Sequence, residues 1–396
     1  MYKFLSFRAK SRNPFLYFCI MKIIFRHIVL SLFFLLTINT LSAKTNDTII
    51  DKNLQIEFRS SYGFIICHHP EMKYFQSHFP LFELSIQQVT TGRKSWQSKS
   101  NYPAVGVSFL YSGIGEMPEI GRAFAIVPHI NFNCLKSKRH QINFNFGIGI
   151  GYLTQKNDIQ DNPKNTFIGS YLNAAINLAA DYSYMITNRL GLSAFIGLTH
   201  YSNGSTRSPN NGINMAHAGI GAKYFLQEPK QRIPKKSSDN QQYKSWIKDN
   251  FSFNFALLIS KKDIKQFIGY NKNWAVYNIQ FNALKRVTEM SKFGLGFDLV
   301  YDNTDKEILR LDGVEFTDIE ILKPGINAAY EISFGNTSFN INFGYHLAGK
   351  ELCEGRVYQK LGAMQSIWKG LYATVQLTTH YGWADYIGFG IGYRIN

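Results

Sequence analysis

The sequence predicts an all-β chain: a transmembrane antiparallel up-and-down β-barrel of about sixteen strands, arranged as two tandem eight-stranded barrels. Three observations predict it. Apolar residues alternate with small or polar ones at a period of two along most of the chain. The opposite face carries Asn, Gly, Ser and Thr rather than Lys and Glu. A long polar segment divides the strand-like runs into two sets of eight.

The alternation is clearest in two stretches. Over 143–153, Phe144, Phe146, Ile148, Ile150 and Tyr152 alternate with Asn143, Asn145, Gly147, Gly149 and Gly151. Over 338–347, Phe339, Ile341, Phe343, Tyr345 and Leu347 alternate with Ser338, Asn340, Asn342, Gly344 and His346. Successive side chains of a strand point to opposite faces, so each run has one bulky apolar face and one small or polar face. A soluble sandwich turns its polar face to bulk water and fills it with charge. Here 18% of residues are charged, against 32 Phe, 23 Tyr and 31 Gly in 396 residues. That balance favours lipid outside and a narrow polar lumen inside.

Between turn signals the first set of strands falls near 54–66, 81–92, 102–115, 120–134, 140–155, 166–187, 189–203 and 212–226. The second falls near 250–263, 273–287, 291–303, 321–335, 337–348, 356–367, 370–381 and 385–396. The segment 227–249, Lys-rich with two prolines, is long for a periplasmic turn and reads as a linker between barrels; one sixteen-strand barrel with a long turn is the alternative. The halves echo each other, with GLSAFIGLTHYSNG at 191–204 and GLYATVQLTTHYG at 370–382. Either a duplication or the shared composition of such strands accounts for that.

Residues 1–43 read as an upstream extension followed by a secretory signal. From Met21 a basic start (Lys22, Arg26) leads into an apolar run and then Leu41-Ser42-Ala43. The apolar part, Ile28 to Leu36, is too short to span ~30 Å of hydrocarbon. Six basic and no acidic residues lie in 1–43; their six charges taken from +16 leave the remainder at +10. The other basic residues form no stripe with interleaved aromatics, which argues against nucleic-acid binding. Cys67, Cys134 and Cys353 have neither CxxC spacing nor a disulfide framework. The domain scheme is therefore 1–43 extension and signal, 44–226 first barrel, 227–249 linker, and 250–396 second barrel.

The chain has no Walker loop, HExxH, GxSxG or paired CxxC, and GIGIGY at 147–152 is mid-strand with no helix pattern after it. The unusual stretch is Thr199 to Asn214, THYSNGSTRSPNNGIN. In the strand before it, Leu192, Ala194, Ile196 and Leu198 form the lipid-facing row, and His200 and Ser202 continue it. In the strand after it, Asn214 begins the row of Ala216, Ala218, Ile220, Ala222, Tyr224 and Leu226. Three polar side chains thus converge on the outer wall at one membrane edge. A His and a Ser two apart on one face can pass a hydroxyl proton. Alternatively the rows simply end here and the polar residues belong to a headgroup-level loop.

The segment HYSNGSTRSPNNGIN, followed by a final strand, closely resembles the active-site signature of the lipid A 3-O-deacylase family. GIGIGYLT at 147–154, SYLNAAINLAADYSYMITNRLGLSAF at 170–195 and the ending Tyr224–Leu226 extend the likeness more weakly over roughly 54–226. The resemblance implies a multi-pass outer-membrane esterase that removes an ester-linked acyl chain from lipid A or lipopolysaccharide, with no metal and no other cofactor. It implies His200 as general base and Ser202 as nucleophile. Asn210 matches a polar position able to donate to an oxyanion, with Asn203 a supporting residue beside it. One position departs: the family's triad carries Glu where this chain has Asn214. An amide can orient His200 but cannot offset an imidazolium with a full charge, and no acidic residue lies between Asp181 and Glu228. In the second half His380 and Tyr381 echo the motif, but Gly382 stands at the serine position and the extra Thr in LTTH turns His380 inward. That half is expected to be non-catalytic. The rival reading is a catalytically silent barrel serving as a small porin, scaffold or adhesion surface; a different lipid substrate for the same Ser/His chemistry is a third.

Overall fold

Among the described residues sixteen antiparallel strands close as two rings of eight rather than one of sixteen. The structure is a computed structural model describing residues 53–396, apart from 68–69, 76, 115–116, 138, 231, 234–250, 265–271 and 353–354. The expected signal segment 1–43, Cys353 and most of the 227–249 linker lie outside the described residues.

The first barrel comprises β1 (Leu54–Ile65), β2 (His78–Val89), β3 (Ala104–Ser112), β4 (Ala123–Lys136), β5 (His140–Leu153), β6 (Leu172–Met185), β7 (Leu190–Ser202) and β8 (Ile213–Phe225). The second comprises β9 (Phe251–Lys262), β10 (Trp274–Arg286), β11 (Ser291–Asp302), β12 (Leu322–Phe334), β13 (Thr337–His346), β14 (Val357–Trp368), β15 (Leu371–His380) and β16 (Trp383–Ile395). Each ring is sealed by its own first and last strands, β1 on β8 and β9 on β16. Closure matters in lipid because an open edge would leave a row of N–H and C=O groups with nothing to bond. The single-barrel alternative is therefore excluded. Strand β2 starts three residues before the alternation placed it. Among the described residues a 3-10 helix (Pro70–Phe75) and two short α-helices, α1 (Ser95–Lys99) and α2 (Asn303–Leu311), stand between strands, where no helix was expected.

The outer faces carry the apolar rows. On β1 and β2 the outward side chains include Phe58, Tyr62, Phe64, Phe82, Leu84 and Ile86, all exposed. The lumens are polar but not uniformly so. In the first barrel Arg59, 2% exposed, bonds Glu57 at 2.9 Å and Asp181 at 3.3 Å and lies 3.6 Å from Glu83. Lys223 joins the same network, 3.3 Å from Asp181. Charges this deep are tolerated because each faces an opposite one. In the second barrel Asp298 accepts from Tyr358 at 2.6 Å and from Asn327 at 2.7 Å, with Lys360 paired to it.

The end of the first lumen beneath Tyr201 departs from the polar interior that the alternation implies. Met72, Phe79, Leu81, Leu110, Phe167 and Met215 belong to a buried apolar cluster there. Tyr201 is part of it and is fully buried. A Cβ on Gly151 would come within 2.5 Å of the Tyr201 ring. The GIGIGY run is thus glycine-rich partly because a ring packs directly on the strand. Tyr201 points inward between His200 and Ser202 in sequence, so its burial anchors the strand end that carries both.

Candidate active site

Strand β7 delivers His200 and Ser202 on its outer face, where alternate residues are exposed or half-buried while Thr199 and Tyr201 are buried inside. Across the ladder His200 pairs with Asn214 on β8, and Ala174 on β6 pairs with Ser202. The imidazole Nδ1 lies 2.6 Å from Asn214 Oδ1. An amide oxygen only accepts, so this bond puts the ring proton on Nδ1 and makes Nε2 the unprotonated nitrogen of the neutral ring. Asn214 is half-buried.

The loop from Asn203 to Gly212 folds back on the serine. Ser202 Oγ donates to Asn210 Oδ1 at 3.3 Å, and the Asn203 backbone N–H donates to the same oxygen at 2.9 Å. The Gly204 N–H donates to Ser202 Oγ at 3.2 Å. Asn203 Nδ2 holds the loop from within by donating to Arg207 O at 2.8 Å. Asn210 therefore turns its oxygen toward the serine, and its Nδ2 hydrogens are what it can offer an oxyanion. Asn203 engages Asn210 and the loop backbone.

A second loop, between β5 and β6, supports this one. Asn165, fully buried, accepts from the N–H groups of Phe167 and Ile168 at 3.1 and 3.3 Å. Phe167 O then accepts from Gly212 N–H at 3.2 Å, and Thr166 O accepts from Asn211 Nδ2 at 2.9 Å. Gly212 sits at φ +74°, and a Cβ there would lie 2.9 Å from His200 Cε1. Gly212 backs the imidazole at a distance no side chain permits, in a conformation that favours glycine.

The structure places His200 and Ser202 on one outer row of β7, with His200 bonded to Asn214 and Ser202 to Asn210, while the Asn203 side chain is buried behind the strand end. Sequence reasoning passed over Gly204, whose N–H reaches the serine, and Gly212, although both lie inside the quoted motif. It had no signal for the β5–β6 loop. In the second barrel the pairing of β15 with β16 shifts register at Thr378/Thr379, where Asp385 of β16 is passed over. His380 is buried in the lumen, with Nδ1 2.9 Å from Val357 O and Nε2 3.4 Å from Asp385.

Residues 81–223 match the family model described as lipid A 3-O-deacylase (PagL). The first barrel belongs to the lipid A 3-O-deacylase family. Residues 251–396 match the model described as acyloxyacyl hydrolase, C-terminal domain (PagL_C), so the second barrel has a family model of its own. Neisserial surface protein A is 8% identical over 44% of this chain and 97% of its own, with a TM-score of 0.32. The outer membrane enzyme PagL is 14% identical over 43% of this chain and 99% of its own, with a TM-score of 0.28. A triple mutant of Rhodopseudomonas blastica porin is 7% identical over 86% and 99%, with a TM-score of 0.18. No curated protein matches this chain. The protein is an outer-membrane β-barrel protein whose first barrel matches a lipid A deacylase model.

Proposed function

We propose that this protein is a serine esterase that removes an ester-linked acyl chain from lipid A, acting from the wall of the first barrel. The observation that carries this reading is the outward-facing His200–Asn214 pair at 2.6 Å, with Ser202 on the same row of the same strand. Polar groups turned toward lipid are costly unless they are used or paired. A lipid substrate already in the outer leaflet reaches such a row without leaving the membrane.

In the proposed reaction the Ser202 hydroxyl turns from Asn210 toward His200, and Oγ attacks the ester carbonyl while Nε2 takes its proton. The negative charge on the carbonyl oxygen is met by the Asn210 Nδ2 hydrogens and the Gly204 N–H. The sugar–oxygen bond to the acyl carbon breaks as His200 returns the proton to the leaving alkoxide. Water then attacks the acyl-serine, with His200 again accepting and returning a proton, and a free fatty acid departs. The second barrel takes no chemical part in this scheme, since Gly382 offers no nucleophile where the first barrel has Ser202. The amide at Asn214 favours one rival, a barrel of the same family without turnover.

The test is mass spectrometry of lipid A incubated with the purified protein in mixed micelles. Wild type should release one acyl chain, and Ser202→Ala should release none while keeping the heat-modifiable mobility of a folded barrel. Undiminished release by folded Ser202→Ala removes Ser202 from the mechanism; no release by wild type supports the silent barrel.

A further inference from the structure

The loop that joins the nucleophile to Asn210 is bonded to the second barrel. Ser205 O accepts from the Asp263 N–H at 2.9 Å, and Ser205 Oγ donates to Ala384 O at 2.7 Å. The Ser208 N–H donates to Asp263 Oδ2 at 3.0 Å. The other carboxylate oxygen of Asp263 accepts from the Ile264 N–H at 2.9 Å, which orients the side chain from its own strand end. Asp263 is 2% exposed. The backbone of Gly204, at φ +59°, packs directly on the Ile387 side chain, with no space for a Cβ between them.

These bonds fall at telling positions. Ser205 is three residues beyond Ser202, and Ser208 is two before Asn210. Ser205 itself adopts φ +60°, a left-handed conformation that residues other than glycine keep only when neighbours hold it. The donors and acceptors that hold it belong to β16 and to the residue after β9. Within the first barrel, residues 203–207 are tied by Asn203 Nδ2 to Arg207 O and by the Thr206 N–H to Asn203 O at 3.3 Å, bonds that move with the loop, while the β5–β6 loop holds its far end through Asn210, Asn211 and Gly212. A buried carboxylate that accepts a backbone N–H makes a charge-assisted bond, stronger than a neutral one.

We propose that Asp263 is a positioning residue for the first barrel's active site, and that the second barrel acts as a clamp holding residues 204–208 so that Gly204 N–H and Asn210 stay on Ser202. The inference rests on the reading of Ser202 as nucleophile for its kinetic consequence but not for its structural one. It assigns the second barrel a purpose: it completes the site across a boundary that neither barrel spans alone. A displacement of about 1 Å at a reacting group can cost ~10²-fold in rate. Loss of the clamp should therefore appear mainly in kcat, since Asp263 bonds the loop rather than the lipid.

The experiment uses the full chain in matched micelles. Asp263→Ala, Asp263→Asn and Ser205→Ala are compared with wild type by lipid A hydrolysis and by hydrogen–deuterium exchange of the 203–212 region. Asp263→Ala should lower kcat by roughly ten- to a hundred-fold with KM within about twofold. Asp263→Asn retains one accepting oxygen for the Ser208 N–H and the backbone N–H, but loses the charge and sets an NH2 against the Ile264 N–H, so it should recover part of that loss. Exchange in 203–212 should speed up in Asp263→Ala while β1–β8 keep their protection. Ser205→Ala, a change on the first-barrel side that leaves Asp263 in place, should give a smaller effect of the same kind and covers the case in which Asp263→Ala does not fold. Unchanged exchange over 203–212 in folded variants overturns the clamp whatever the activity. If exchange changes as expected but wild type hydrolyses no ester, the clamp stands and the esterase reading fails. A rise in KM alone, or no rescue by Asp263→Asn, also overturns the positioning role.

Discussion

Replacing Asn214 with Asp is the most informative perturbation of the site, because Asp has the same shape and only the charge changes. Asn214 Oδ1 already lies 2.6 Å from His200 Nδ1, so a carboxylate meets the imidazole without any movement of β8. During attack the ring becomes an imidazolium, with its charge about 4 Å from the carboxylate centre. Coulomb's law gives about 4 kcal/mol at an effective dielectric of ~20 and about 1 kcal/mol in water. The pair is half-buried at the membrane edge, between those limits. The expected gain in kcat is roughly ten- to a hundred-fold, below the ~10⁴ separating a triad carboxylate from its amide in a fully enclosed site. The same charge stabilises the imidazolium before attack, so the acid limb of the rate profile should move to higher pH and the gain should shrink as pH falls. Asn214→Ala should do the opposite at all pH values, slowing hydrolysis about tenfold by freeing the ring. Asn214→Glu brings the family's residue but adds a methylene to a contact that has no slack, so it should gain less than Asp. The assay is ester hydrolysis against pH for the four proteins in matched micelles. If folded Asn214→Asp is no faster than wild type and Asn214→Ala equals wild type, Asn214 is no partner of His200 and the argument fails.

Two further outcomes follow from the packing around this site and below it. Gly212→Ala places a Cβ 2.9 Å from His200 Cε1 at φ +74°; the ring must tilt, and kcat should fall at least about tenfold with the barrel intact, as judged by heat-modifiable mobility. Arg59→Ala leaves Glu57, Glu83 and Asp181 facing one another around Lys223; urea unfolding in detergent should show a loss of about 3–5 kcal/mol, and an unchanged midpoint would mean the lumen carboxylates are compensated in another way.

The sequence by itself determined which side of each strand meets lipid. Leu192, Ile196, His200 and Ser202 share the outer row of β7 because alternation is a local property of the pleated backbone, readable from neighbours two apart. It also determined that the chain folds as two sets of eight strands, through the long polar segment between them, and the HYSNG…PNNGIN stretch identified the family of the first barrel. It did not determine where each set closes, since β1 meets β8 and β9 meets β16 through hydrogen bonds that any alternating strand could offer. The apolar plug at the Tyr201 end of the first lumen was equally hidden. Met72 comes from a short 3-10 helix (Pro70–Phe75) and Phe167 from a loop, in a stretch where alternation placed the start of a strand that begins only at Leu172. The site divides in the same way. That His200 and Ser202 share a face is a matter of spacing, but the 2.6 Å bond from His200 to Asn214 depends on the register of β7 against β8. The turn of Asn210 back onto Ser202 depends on the path of a ten-residue loop. Asp263 is the extreme case: it lies fifty-five residues from Ser208 in sequence and in another barrel. Contacts between separately closed barrels leave no pattern in either one, because each ring is complete without them and only the packing of one on the other brings such groups together.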